Sequence, residues 1–193
     1  MKFVIATKNE HKLVEFKRIL NPLGIEVLSQ SDVNVDIEVE ETGTTFEQNA
    51  RLKAMAIFKA TSLATIADDS GLEVDALDGQ PGVYSARYGG SGLDDTKRCD
   101  LVLQKLLGVE NEKRTARFVS CIYLVCENGE EHSFFGKCEG RIAHSLHGDN
   151  GFGYDPIFMV GDKSFAQLDE IGKDKISHRG NALKMLEAFL NEK

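Results

Sequence analysis

Asn128-Gly129 lies between two long stretches rich in strand-forming residues, Thr115–Glu127 and Glu130–Ile142. Asn-Gly suits a tight reversal between antiparallel strands because both residues tolerate positive φ. The pair therefore predicts a long antiparallel ribbon. The rest of the chain mixes strand and helix patterns without a clean alternation, so the expected class is α/β with a mixed sheet.

Lys2–Ala6 is apolar and of strand length, and Leu13, Phe16, Ile19 and Leu20 follow at helical spacing. Asn21, Pro22 and Gly24 end that helix, and Ile25–Leu28 makes a second short strand. Between Val33 and Glu41 apolar and acidic residues alternate with the period of a half-buried extended segment. Thr44-Thr45-Phe46-Glu47 has the form of a capping box with Thr44 as the cap. It opens a helix to about Leu63, with Phe46, Leu52, Met55, Ala56 and Phe58 among its apolar positions. An apolar strand Ala64–Ala67 then runs into an expected turn, Asp68-Asp69-Ser70-Gly71, before a strand Leu72–Ala76. Gly79 to Gly92 is too glycine-dense for regular structure. Asp94 caps a helix to Leu107, Gly148 to Pro156 forms a second glycine-rich loop, and Ser177 caps a last amphipathic helix.

The length of 193 residues, without repeats or a low-complexity linker, predicts a single domain over 1–193. A net charge of −8 disfavours coating of nucleic acid, which runs on positive surface. Apolar runs such as Cys121–Cys126 are far shorter than a membrane span, and Phe3–Ala6 is too short for a signal peptide, so a cytoplasmic location is expected. Cys99, Cys121, Cys126 and Cys138 show no C-x-x-C pair and no neighbouring histidine cluster; they are expected as buried thiols. From the residues alone His11, His132, His144 and His147 carry no assignable role, and most are expected at the surface.

Five segments could carry chemistry. The turn Thr7-Lys8-Asn9-Glu10-His11-Lys12 precedes a helix, whose N-terminal N–H groups together with Thr7, Asn9 and Lys12 suit a phosphate; a capped helix with solvated lysines reads the same way. No Walker loop is present. Asp68 and Asp69 follow an apolar strand, where a carboxylate can bind a hard cation or orient a water, or simply make an Asx-turn. Glu38, Glu40 and Glu41 offer further carboxylates, or a solvated strand face. Gly151-Phe152-Gly153-Tyr154-Asp155-Pro156 offers close backbone approach, stacking faces and an acceptor for a base edge, or a turn with two aromatics in the core. Lys173 to Arg179 places basic side chains near a helix start. Together they point to a nucleotide site.

These motifs also carry a resemblance. The segments ATKNEHKLVEF at 6–16, ETGTTFEQNARLKA at 41–54, ADDSGLEVDAL at 67–77, PGVYSARY at 81–88, GFGYDPIF at 151–158 and ISHRGNAL at 176–183 stand in the order found in the inosine triphosphate pyrophosphatase family, also called Ham1-like. The chain resembles that family over nearly its whole length. The resemblance implies an elongated mixed sheet flanked by helices in two lobes, with the nucleotide in a cleft between them, and a homodimer touching through the Gly79–Gly92 loop. It implies a Mg²⁺-dependent hydrolase that converts XTP, dITP and ITP to the monophosphate and pyrophosphate. Maf-like nucleotide pyrophosphatases and a catalytically silent nucleotide sensor are the competing readings.

By the same resemblance Asp69 is the catalytic acid, acting as general base or orienting the water, and shares the metal with Glu40. The run Thr7, Lys8, Asn9, Glu10, His11 and Lys12 belongs to the substrate site, with Thr7, Asn9 and Lys12 on the triphosphate and Lys53 adding a phosphate contact. Ser70 lies against the substrate. Phe152, Gly153, Tyr154 and Asp155 stack on and read the purine, and Lys173, His178 and Arg179 contact the base and its 6-oxo group.

Overall fold

The computed structural model describes residues 1–90 and 92–192. One seven-stranded sheet runs β2-β1-β3-β4-β5-β6-β7, its strands being β1 (Lys2–Ile5), β2 (Glu26–Leu28), β3 (Thr65–Val74), β4 (Thr115–Val125), β5 (Glu131–Ile142), β6 (Phe158–Val160) and β7 (Lys163–Ser164). The helices are α1 (Glu10–Leu20), α2 (Phe46–Thr61), α3 (Asp95–Lys105), α4 (Glu170–Ile176) and α5 (His178–Asn191). This is the mixed α/β class expected. Two compact units divide the chain, with boundaries inside β3, β4, β5 and α5.

The first unit comprises Met1–Asp69, Ser120–Gly136 and Ala182–Lys193. Here β1 pairs in parallel with β2 through Phe3↔Val27 and with β3 through Ile5↔Ile66. Parallel strands buried on both faces read as continuous apolar runs, which is why Phe3, Val4 and Ile5 show no alternation. Its core joins Phe3, Ile5, Phe16 and Leu20 to Ile122, Leu124 and Phe134, with Leu183 and Leu186 from α5. At the hairpin tip Cys126 N–H donates to Glu130 C=O at 2.8 Å and Gly129 N–H to Cys126 C=O at 2.9 Å. Gly129, at φ 85°, supplies the left-handed residue that closes this three-residue loop.

The second unit comprises Ser70–Val119 and Lys137–Asn181. Its core packs Leu72, Val74, Val102, Leu106 and Ile142 around the rings of Phe118, Phe158 and Phe165. Phe118 meets Phe158 edge-on at 4.6 Å and lies nearly parallel to Phe165 at 5.7 Å, both favoured aromatic arrangements. Arg141↔Met159 and Ile142↔Phe158 pair β5 antiparallel to β6. A Cβ at Gly140 would meet the Met159 carbonyl and the Phe158 ring, so only glycine fits there.

Several local expectations need correction. Asp68-Asp69-Ser70-Gly71 is no turn but the middle of the continuous strand β3, because its carboxylates find side-chain partners and need no Asx-turn. The α2 cap is Thr45, whose side chain accepts from Gln48 N–H, while Gln48 Oε1, not Glu47, reaches back to Thr44 N–H at 2.8 Å. The buried stripe of α2 is Phe46, Ala50, Ala54 and Ile57, and Leu52 is exposed. Small residues carry the helical period on that face, a pattern that hydrophobicity ranks poorly. Residues 35–40 alternate in burial as expected but join no strand. Gly82–Arg87 forms a 3₁₀ turn inside the glycine-rich loop. Helix α4 and the short strands β6 and β7 add to the expected elements.

Candidate active site

In the first unit the expected phosphate turn is built by capping. Asn9 Oδ1 accepts from Lys12 N–H at 3.1 Å, opening α1, and Thr7 Oγ1 accepts from Asn9 N–H at 3.1 Å. The partial positive charge of the α1 N-terminus therefore faces out beside Thr7, Lys8, Asn9, Glu10 and His11, which are exposed or half-buried. Lys8 is drawn to Asp36 at 2.8 Å, and Lys12 to Asp68 at 2.8 Å.

Asp68 and Asp69 are successive on β3, so their side chains leave opposite faces of the strand. Asp68 is bound by Lys12 and by the Ser120 hydroxyl at 2.5 Å. Asp69 Oδ1 accepts from Lys53 Nζ at 2.8 Å, and the same ammonium reaches Glu41 Oε1 at 2.7 Å. Asp69 Oδ2 is buried and has no hydrogen-bond partner. Burial pushes the Asp69 carboxyl above the usual carboxylate range, against the opposing pull of Lys53 and Lys12. Burial acts on Lys53 in the opposite sense, yet the facing Asp69 and Glu41 outweigh it and hold the ammonium's pKa raised.

An orphaned buried carboxylate oxygen, with a second carboxylate across one lysine, is an oxygen-only donor set of the kind a hard divalent cation takes. The residues present therefore fit Mg²⁺. Glu41 makes the contact near Asp69, whereas Glu40 is exposed. Sequence reasoning missed Ser120, whose role leaves no mark in an otherwise apolar strand.

In the second unit the loop before β6 is organised by one carboxylate. Asp155 is 2% exposed and accepts from Phe152 N–H at 3.0 Å and from Lys173 Nζ at 2.6 Å. A Cβ at Gly151, where φ is 77°, would collide with that carboxylate. Lys173 Nζ sits 4.8 Å from the Phe152 ring centre, and the Arg179 guanidinium carbon 6.0 Å from it, both within cation–π range. Arg179 also donates to Ser70 Oγ at 3.0 Å. His178 is buried and stacks on Phe118 at 4.7 Å with the rings 13° apart.

Thus Ser70, Phe152, Asp155, Lys173 and Arg179 are brought together. Tyr154 is not an open stacking face: it is 4% exposed, its hydroxyl donates to Ser85 C=O at 2.8 Å, and burial raises its pKa. Phe152 is half-buried, with Lys173 and Arg179 over its ring. Gly153 N–H donates to Asp95 at 2.7 Å, tying the loop to the first turn of α3. Asp95 and Ser85 are supports that local spacing could not reveal.

Known proteins match the chain over almost its whole length. The family model described as Ham1 family matches residues 3–189. A dITP/XTP pyrophosphatase of Bacillus licheniformis is 50% identical over 192 residues, covering 98% of this chain and 97% of that protein. One of Bacillus subtilis is 50% identical over 190 residues, covering 97% and 96%. Among solved structures, the Ham1 protein of Staphylococcus aureus superposes with a TM-score of 0.89 at 46% identity, covering all of both chains.

Proposed function

Because the chain belongs to the Ham1 family, we propose that it hydrolyses noncanonical purine nucleoside triphosphates, dITP, XTP and ITP, to the nucleoside monophosphate and pyrophosphate with Mg²⁺. The observation that carries the reading is Asp69: a buried carboxylate with one oxygen held by Lys53 and the other without a partner. A pure binding module has no need of such a group, and the relatives' names are those of enzymes.

In this reading Asp69 takes the proton of a water as its oxygen attacks the α-phosphorus. The bond from that phosphorus to the bridging oxygen breaks, and pyrophosphate leaves with the electron pair. Asp69 would hold Mg²⁺ together with a carboxylate of the Glu40-Glu41 pair, Glu41 being the one that meets Lys53 beside Asp69 and Glu40 the exposed one; the ion would supply neutralisation of phosphate charge. Lys53 keeps Asp69 ionised and oriented, and with Thr7, Asn9, Lys12 and the α1 N-terminus holds the triphosphate. Lys8, Glu10 and His11 complete that turn.

Phe152 stacks on the purine with Gly153 and Tyr154 shaping its loop, while Lys173 and Arg179, fixed through Asp155 and Ser70, and His178 face its 6-oxo group. Donors aimed at a 6-oxo group are left facing an amino group when ATP enters, which penalises adenine. The same reading carries a homodimer in the cytoplasm; no described helix is long and apolar enough to cross a membrane. Chromatography of products from dITP, XTP, GTP and ATP, with and without Mg²⁺, tests it. Monophosphate and pyrophosphate from dITP and XTP only, and only with Mg²⁺, is the expected result; orthophosphate and diphosphate would place the attack at another phosphorus.

A further inference from the structure

The turn between β4 and β5 gathers three side chains that the nucleotide chemistry does not use. Cys126 and Glu130 are bonded through their backbones across the hairpin, and the alternation of an extended strand puts His132 on the same face as Glu130. The Cys126 sulfur, a Glu130 carboxylate oxygen and a His132 ring nitrogen all lie within 4.8 Å of one another. His132 Nε2 is buried without a hydrogen-bond partner, and at 3.9 Å from Glu130 Oε2 it is beyond hydrogen-bond reach. Its ring is fixed from the other side by Phe189 of α5, with centroids 4.3 Å apart.

We propose that Cys126, Glu130 and His132 form a binding site for one zinc ion, or a divalent ion of like softness, with water as the fourth ligand. Thiolate, imidazole and carboxylate together suit zinc, whereas Mg²⁺ prefers oxygen alone. Bond lengths of about 2.0–2.3 Å at tetrahedral angles place neighbouring donors roughly 3.3–3.6 Å apart. The observed spacing reaches that by small rotations, and Glu130 is exposed enough to make them. On binding, the Cys126 thiol gives its proton to solvent as the sulfur–metal bond forms, and the neutral imidazole donates its lone pair. The buried ring nitrogen then gains a partner. Cys126 is half-buried, against the expectation of four buried thiols, whereas the other three cysteines are buried: desolvation pushes Cys99 and Cys121 up to about 12 and Cys138 to about 11, so none of these three offers a thiolate.

The test is titration of the whole protein with Co²⁺ in excess Mg²⁺, which occupies oxygen-only sites. One equivalent of Co²⁺ should give the near-ultraviolet thiolate-to-cobalt absorption, and Zn²⁺ should displace it. Cys126→Ser should abolish the band, and His132→Ala and the exposed Glu130→Gln should each weaken Zn²⁺ binding by about tenfold or more. Zn²⁺ should raise the melting temperature of the wild type and not of Cys126→Ser, while triphosphate turnover in Mg²⁺ stays equal in all, reporting that each variant is folded. The proposal falls if the wild type shows no thiolate band, if the band survives in Cys126→Ser, or if affinity is unchanged in both His132→Ala and Glu130→Gln.

Discussion

Asp69 is buried beside a lysine that occupies only one of its oxygens, the feature on which the proposed reaction depends. Replacing it with Asn keeps the shape but removes the proposed base. Asp69→Asn should therefore lower kcat by about 10²–10⁴-fold with little change in KM, measured by pyrophosphate release from dITP. Lys173 makes a different point, since its ion pair with Asp155 is buried on both sides, at 7% and 3% exposure. Lys173→Met strands a carboxylate in the interior, and urea unfolding should show a loss of about 3–5 kcal/mol. That Asp69 and Lys53 are candidates, like Phe152 and Arg179, was legible from motif order alone, and each pair is in contact. That Glu41 would face Lys53 while Glu40 points to solvent was not, because both lie in an extended segment whose facing is set by contacts far along the chain.

Elements announced themselves in proportion to how local their causes are. Asp94 and Ser177 are side-chain caps a few residues from what they cap, and both were read from the sequence; Asn9, read there as a phosphate donor, is a cap as well. The strand β3 was misread as two, because the partners that satisfy Asp68 and Asp69 come from α1, α2 and β4. Thr45 caps the helix that carries Lys53, so Thr45→Ala should cost about 1 kcal/mol of stability in thermal or denaturant unfolding. On β4, Arg117 bonds Asp75 through two nitrogens at 2.9 Å each and also reaches Glu139. These bonds, with that of Thr115, hold the Asp75 carboxyl below its usual range. A lowered carboxylate stabilises the fold above its unfolded pKa and loses that contribution as pH falls through the folded one. Arg117→Met should thus differ from wild type at pH 7, by no more than about 1 kcal/mol since the pair is partly exposed, and the two should converge in acid.

Across the whole molecule, stability rests on two apolar cores, one in each unit. Leu106, fully buried in the second, can be truncated only by leaving a cavity, and Leu106→Ala should cost about 2–5 kcal/mol by denaturant unfolding. The chain carries a net charge of −8 yet would take a polyanion as substrate, so attraction must be local, through Lys8, Lys12 and Lys53 rather than the field of the whole surface. Its mixed class was legible from the Asn128-Gly129 ribbon, whereas the division into units was not, because their boundaries run through three strands and a helix that look uniform in sequence. The opposite facing of Asp68 and Asp69 on β3 also governs which changes of length the gene can accept. Residues added in a surface turn such as 21–24 leave every partner in place. One codon gained or lost between Thr65 and Ala67 would turn both aspartates to the opposite faces, a gain bringing Asp68 and a loss Ser70 to the position beside Lys53, so insertions and deletions there should be purged even where substitutions survive.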